Sequence, residues 1–296
     1  MTNPTPIQKP NLTLTQRLTA AGFTVPTGES IPRIVGCSEA REKAGKTEFA
    51  IGGTLDNSGL PDPLAVISVD TGTKDIVDRA VRKGRRITML QIKAPKELGK
   101  SDAEAEWEKC REAIYAVLET PTIRSLVIDT ASELWELLRM AEFGKLTQVK
   151  SHHYGPVNDK MRNLVKRCFD RPELNSWWIH KVKKQYKGGD SGDTGNWTGQ
   201  YERAGFADLG FLADVCITQY KSIAKVDANG DPDIRGEYEQ KIFGLRVIDS
   251  RFEQDKIGGM VLESKFGQGA NPDTNTCDFV TLATSCWPGT NAAYWR

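Results

Sequence analysis

The sequence predicts an α/β fold in which a mainly parallel sheet is covered by helices on both faces, with a late β-hairpin added. Short apolar runs such as Leu64–Asp70 and Ser125–Asp129 read as strands buried on both faces. Between them lie segments of helical periodicity. The clearest spans 101–118, where Ala103, Trp107, Cys110, Ile114 and Val117 recur at spacings of four and three. Strand and helix then alternate from Ile31 onward, the pattern of a parallel sheet closed by crossover helices.

Residues 1–30 form an arm rich in proline and threonine, with one short helix expected over Leu14–Ala21. The core is expected over 31–262 and a Gly-, Asn- and Thr-rich tail over 263–296, whose Trp287, Tyr294 and Trp295 dock on the body or on a neighbouring subunit. Within the core, strands are expected at 31–37, 64–70, 86–92, 125–129 and 176–182, and helices at 46–55, 75–83, 101–118, 131–141 and 157–169. Ser101 and Glu104 have the spacing of a capping box. A glycine-rich stretch from Gly188 to Gly205 reads as a long loop. Two further strands, 214–220 and 241–251, flank a turn near 231–236.

The chain of 296 residues is 39% hydrophobic and 27% charged, enough to bury a core without disulfides or structural metal. No stretch approaches the ~18 apolar residues of a membrane span, and the first ten residues lack the apolar run of a signal peptide. A cytoplasmic protein without a membrane partner is the expectation. The six cysteines are scattered and form no C-x-x-C pair, which argues against a zinc site. With a net charge of +1, any nucleic-acid contact must come from local clusters. One is Arg82, Lys83, Arg85 and Arg86; another is Lys181, Lys183, Lys184 and Lys187.

Gly45-Lys46-Thr47 follows a predicted strand and opens a predicted helix, the context a phosphate-binding loop requires. Ala44, Gly45, Lys46, Thr47 and Glu48 would hold the nucleotide; Lys46 would reach the β- and γ-phosphates and Thr47 would ligate Mg²⁺. Ala40 stands where the motif has its first glycine, so the loop over 37–44 either carries an insertion or has a rebuilt start. Ser125–Asp129 is an apolar run ending in a carboxylate, as a second Mg²⁺-holding strand needs, and the interval from Lys46 to Asp129 leaves room for two strands and two helices.

On these two motifs the chain resembles RecA-like P-loop ATPases, and among them the phage-type AAA-labelled nucleotide-binding proteins that include Sak-type single-strand annealing ATPases. The resemblance covers roughly 31–262, with softer support from Tyr154-Gly155, the strand ending at His180, and Leu212–Val215. It implies Mg²⁺-dependent ATP hydrolysis, head-to-tail assembly into a ring or filament, and action on single-stranded DNA beside a single-strand-binding protein, in a host cytoplasm if phage-encoded. It makes Asp70 the candidate base, with Glu48 and Glu39 as fallbacks. His180 becomes a γ-phosphate sensor, and Arg251 a finger reaching the neighbour's site. The lysine expected two residues before that arginine is Asp249 here. Lys183, Lys184, Lys187 and Trp197, near the glycine-rich loop, become the strand-binding set. The alternatives are a nucleotide-gated assembly switch that scarcely hydrolyses, and a motor acting on a protein partner or duplex DNA.

Overall fold

The structure, a computed structural model, describes residues 13–22, 31–52, 63–145, 151–187, 196–229, 231–252, 254–268 and 270–295. The chain divides into two compact units, Met1–Ile31 and Pro32–Arg296. In the first, α1 (Leu14–Ala20) begins at Thr13, whose hydroxyl accepts from Gln16 N–H while the Gln16 side chain accepts from Thr13 N–H. That reciprocal pair satisfies two donors the helix leaves open.

The second unit is a mixed, mostly parallel sheet with helices on both faces. Its strands are β1 (Val35–Ala40), β2 (Leu64–Ser68), β3 (Ile87–Gln91), β4 (Ser125–Asp129), β5 (Asn175–Lys187), β6 (Asn196–Arg203), β7 (Val215–Val226), β8 (Tyr238–Ser250) and β9 (Val261–Gly267). The order is β3-β2-β4-β5-β1-β7-β8-β9, with β6 paired to the far half of β5. The strands from β3 to β7 in this order are parallel, and the expected late hairpin is β7–β8, extended by β9.

Alternation along the buried strands feeds two cores. Leu126, Ile128 and Trp178 face one side with α4 (Lys100–Glu119), α5 (Ala131–Phe143) and α6 (Ser151–Asp170), and α7 (Leu209–Leu212) joins them. Val127, Trp177 and Ile179 face the other, with α2 (Lys46–Gly52), α3 (Thr73–Arg82), α8 (Gln254–Ile257), α9 (Phe279–Cys286) and α10 (Ala292–Trp295). Trp177 is fully buried and meets Phe49 of α2 at 5.4 Å between ring centroids. It lies flat on β1 because its register partner is Gly36, where a Cβ would overlap the indole ring. The C-terminal aromatics dock on this same unit: Trp287 Nε1 donates to Arg33 O at 2.9 Å and Trp295 is buried.

Several boundaries differ from expectation for local reasons. Tyr154 and Gly155 do not precede a helix but lie inside α6, which runs through Pro156. α4 starts one residue early at a Gly99 N-cap with no side-chain cap, so Ser101 and Glu104 form no capping box. Trp197 and Tyr201 sit in β6 rather than in a loop, because β5 runs on to Lys187 and offers it a pairing edge. Residues 188–195 of the expected loop lie outside the described residues. Among the described residues, no helix is long and apolar enough to cross a membrane.

Candidate functional site

The carboxyl ends of β1, β2, β4 and β5 share one edge of the sheet, where open α/β sheets place their ligands. β1 continues through Ala40, so only Arg41–Gly45 separate it from α2. The loop therefore carries no insertion. Ala40 replaces the first glycine without strain because that position is still extended strand. The turn is made instead by Lys43 at φ 58° and Gly45 at φ 86°. Lys46 folds back across the loop, its Nζ donating to Ala40 O at 3.0 Å and Arg41 O at 2.9 Å. Burial pushes its ammonium below the usual lysine range; Asp129 opposes that shift and Lys181 adds to it. A polyanion in the loop would relieve the penalty.

Asp129 ends β4 and is 2% exposed. Its Oδ2 accepts from Thr47 Oγ1 at 2.8 Å and from Thr73 Oγ1 at 2.6 Å. Burial raises the pKa of this carboxyl, while the two hydroxyl donors pull it down. Thr130 follows as N-cap of α5, accepting from Glu133 N–H, so the helix starts at once and fixes the strand end. A hydroxyl and a buried carboxylate this close supply the hard oxygen donors that Mg²⁺ takes, leaving its other positions to phosphate and water.

Asp70 lies just past β2, half-buried. Its Oδ1 accepts from Gly72 N–H at 3.0 Å and its Oδ2 faces Lys181 Nζ at 3.9 Å. Lys181 also pairs with Glu133 at 2.7 Å. Thus Lys181, rather than His180, projects toward Asp70 and Glu133. His180 points into the opposite core, fully buried, with Nδ1 3.1 Å from Ala204 O. Burial drives its pKa down to about 3, so the ring is neutral and ill-suited to sense a phosphate. Glu48 turns outward to Arg79 at 3.8 Å. Arg251 follows β8, which runs antiparallel to β7, and so lies at the sheet edge opposite the 41–45 loop. There it donates to Phe211 O at 2.6 Å and covers Phe169. The chain does not bring it to its own site.

The β5–β6 ribbon carries the basic run. Lys183 pairs with Glu202 at 3.2 Å, Lys184 lies 5.1 Å over the ring of Trp197, and Lys187 is exposed. Tyr186, Trp197 and Tyr201 are each at least 40% exposed, an aromatic strip among cations. Arg41 of the 41–45 loop covers Tyr201 at 5.2 Å, and Arg203 at the base of β6 donates to Glu39 of β1 at 2.9 Å. The ribbon is thus tied to the 41–45 loop through Tyr201 and to β1 itself through Arg203.

The sequence reading missed Thr73, Lys181 and Glu133 as site residues. Glu133 follows Asp129 by four residues at a helix start, a readable signal; Thr73 and Lys181 become visible only through the register of β2, β4 and β5. Among the described residues no group of three or more His, Cys, Asp or Glu side chains is placed to hold a metal. Comparison with protein-family models finds no match, and comparison with curated proteins finds none either.

Proposed function

We propose that this chain is a RecA-like P-loop ATPase of phage type that binds ATP with Mg²⁺ and acts on single-stranded DNA in recombination or annealing, as a head-to-tail oligomer. The observation that carries the reading is Thr47 and Asp129, 82 residues apart, meeting at 2.8 Å beside a five-residue loop spanned by Lys46. Two strands and two α-helices lie between them, as RecA-like folds require, and β5 sits between β1 and β4. Lys46 would leave the loop carbonyls for the β- and γ-phosphates. Thr47 and Asp129 would hold the metal, whose charge offsets that on the phosphate oxygens. Asp70 would orient a water for in-line attack on the γ-phosphorus; the bond to the β,γ-bridging oxygen breaks, ADP leaves, and the water's proton passes to Asp70 or solvent. Lys181, which faces Asp70 and pairs with Glu133, would take the γ-phosphate-sensing role that His180 was expected to fill.

One observation favours a second reading. Asp70 is already bonded to Gly72 N–H and faces Lys181, contacts it would have to give up to orient a water. A nucleotide-gated assembly switch with slow turnover fits that arrangement. ATP turnover with and without single-stranded DNA, beside Lys46→Ala, separates the two. DNA-stimulated turnover lost in the variant supports the ATPase. ATP-dependent assembly without Lys46-dependent turnover supports the switch. No nucleotide binding at all sinks both.

A further inference from the structure

Two features of opposite charge stand on the surface of the second unit. The first is a groove of about 650 Å³ between α4 and α6. Trp107 and Leu164 form its floor and Tyr115 stands in its wall. Arg111, Lys160, Lys166 and Arg167 rim it, against Glu108 and Asp170. Arg111 and Lys160 pair with Glu108 and Glu142, whereas Lys166 and Arg167 are exposed and make no ion pair among the described residues. The guanidiniums of Arg111 and Arg167 lie over the Tyr115 ring at 5.4 and 5.1 Å, which holds their charge at the groove. The second feature is the turn between β7 and β8. It carries Asp227, Asp231, Asp233 and Glu237 against Arg235 alone. Hydrogen bonds order it: Asp227 N–H donates to Asp231 O at 2.9 Å and Asp233 N–H to Lys225 O at 3.0 Å. A Cβ on Gly236 would overlap Val226 O, so the turn closes tightly on β7. Ile234 in this turn is 98% exposed. A turn already ordered gives up little entropy on docking, so burial of this side chain would count almost in full toward a contact.

We infer that the acidic β7–β8 turn of one copy seats in the basic α4–α6 groove of the next, with Ile234 against the apolar stems of Arg111 and Arg167 and the turn's carboxylates facing Lys166 and Arg167. The inference rests on the head-to-tail assembly proposed above and names its two surfaces. The two features belong to different flanks of the sheet: α4 follows β3 at one end of the strand order, whereas β7 and β8 lie beyond β1 toward the other. A copy therefore presents the turn to a neighbour and not to its own groove. Opposite charge on two unlike patches makes a heterologous contact, which repeats into a ring or filament, rather than the self-matching contact of a closed dimer.

The test is sedimentation velocity of the full chain, with and without Mg·ATP, beside charge reversals on exposed residues of the two surfaces. Wild type is expected to form oligomers that weaken as salt rises. Lys166→Glu with Arg167→Glu, and separately Asp231→Lys with Glu237→Lys, should each weaken self-association roughly tenfold or more. Ile234→Ser should weaken it about tenfold. Mixed, the two reversed proteins should associate with each other, because the intact turn of the first meets the intact groove of the second. If wild type associates and both reversals leave that association unchanged, this contact is overturned and head-to-tail assembly stands on other surfaces. If the reversals abolish association yet the mixture does not pair, the groove and the turn serve other partners and the contact is likewise overturned. If wild type is monomeric in both conditions, head-to-tail assembly itself falls and takes this contact with it.

Discussion

Oγ1 of Thr73 donates to Oδ2 of Asp129 at 2.6 Å, sharing with Thr47 the task of solvating a carboxylate that burial disfavours. Thr73→Val keeps the shape and removes the donor. A hydrogen bond to a charged buried group contributes about 1.5–3 kcal/mol, so the variant should lose stability in that range at pH 7. Thr73→Ser should lose much less. Urea unfolding of the three proteins reads this directly; equal midpoints for Val and wild type would refute it.

The ribbon makes a second prediction. Base stacking on an exposed aromatic contributes ~1–3 kcal/mol per base, so Trp197→Ala should weaken binding to a labelled oligo-dT strand by at least fivefold. Lys187→Ala should instead lower the salt dependence of that binding, since it removes a phosphate contact rather than a stacking one. Fluorescence anisotropy across a salt series distinguishes the two. Unchanged affinity in both variants would remove the ribbon from the DNA reading.

His180 predicts a pH dependence. Its folded pKa, about 3, lies below the ordinary value of 6.5, so between those limits the unfolded chain binds a proton that the folded chain refuses. Stability is therefore full above pH 6.5 and is lost as pH falls toward 3, by up to about 1.4 kcal/mol per unit. His180→Asn keeps a donor for Ala204 O and removes the titration. Thermal melts of both proteins from pH 7 to 4.5 should diverge, the variant losing less. Parallel curves would mean His180 is protonated in the fold.

The Arg203–Glu39 pair retains only 13% and 17% side-chain exposure, and Thr218 Oγ1 also donates to Glu39. Arg203→Met strands that carboxylate and should cost roughly 3 kcal/mol, the low end for a buried pair. Adding Glu39→Gln should recover a good part of the loss, measured as a double-mutant cycle by urea unfolding. Additive losses would show that the pair is not coupled.

Much of this was readable in advance. The buried strands are legible at Leu64–Ser68 and Ser125–Asp129 because such apolar runs need cover on both faces. The meeting of Thr47 with Asp129 is legible because a hydroxyl after Gly-Lys and a carboxylate ending a buried strand stand at the carboxyl ends of parallel strands in one sheet. What escaped reading was geometry set by pairing between distant segments. His180 and Lys181 are adjacent in sequence and face opposite sides of the sheet, so a shift of one residue decides which reaches the site. Trp197 was expected in a loop because the glycine-rich stretch hides the ladder that Lys183–Lys187 offers to β6. Thr73 carries no motif at all; it matters only because β2 lies beside β4.

Gly36 and Trp177 form a single space-filling unit spread over two strands, and α2 rests on it through Phe49. Neither position is free to drift alone. Any side chain at 36 demands a smaller ring at 177, and a smaller ring at 177 leaves a void under α2 unless 36 fills it. Among diverging descendants of this chain, the two positions should therefore change in the same lineage or not at all, a mark of common ancestry that outlasts recognisable similarity in the surrounding strands.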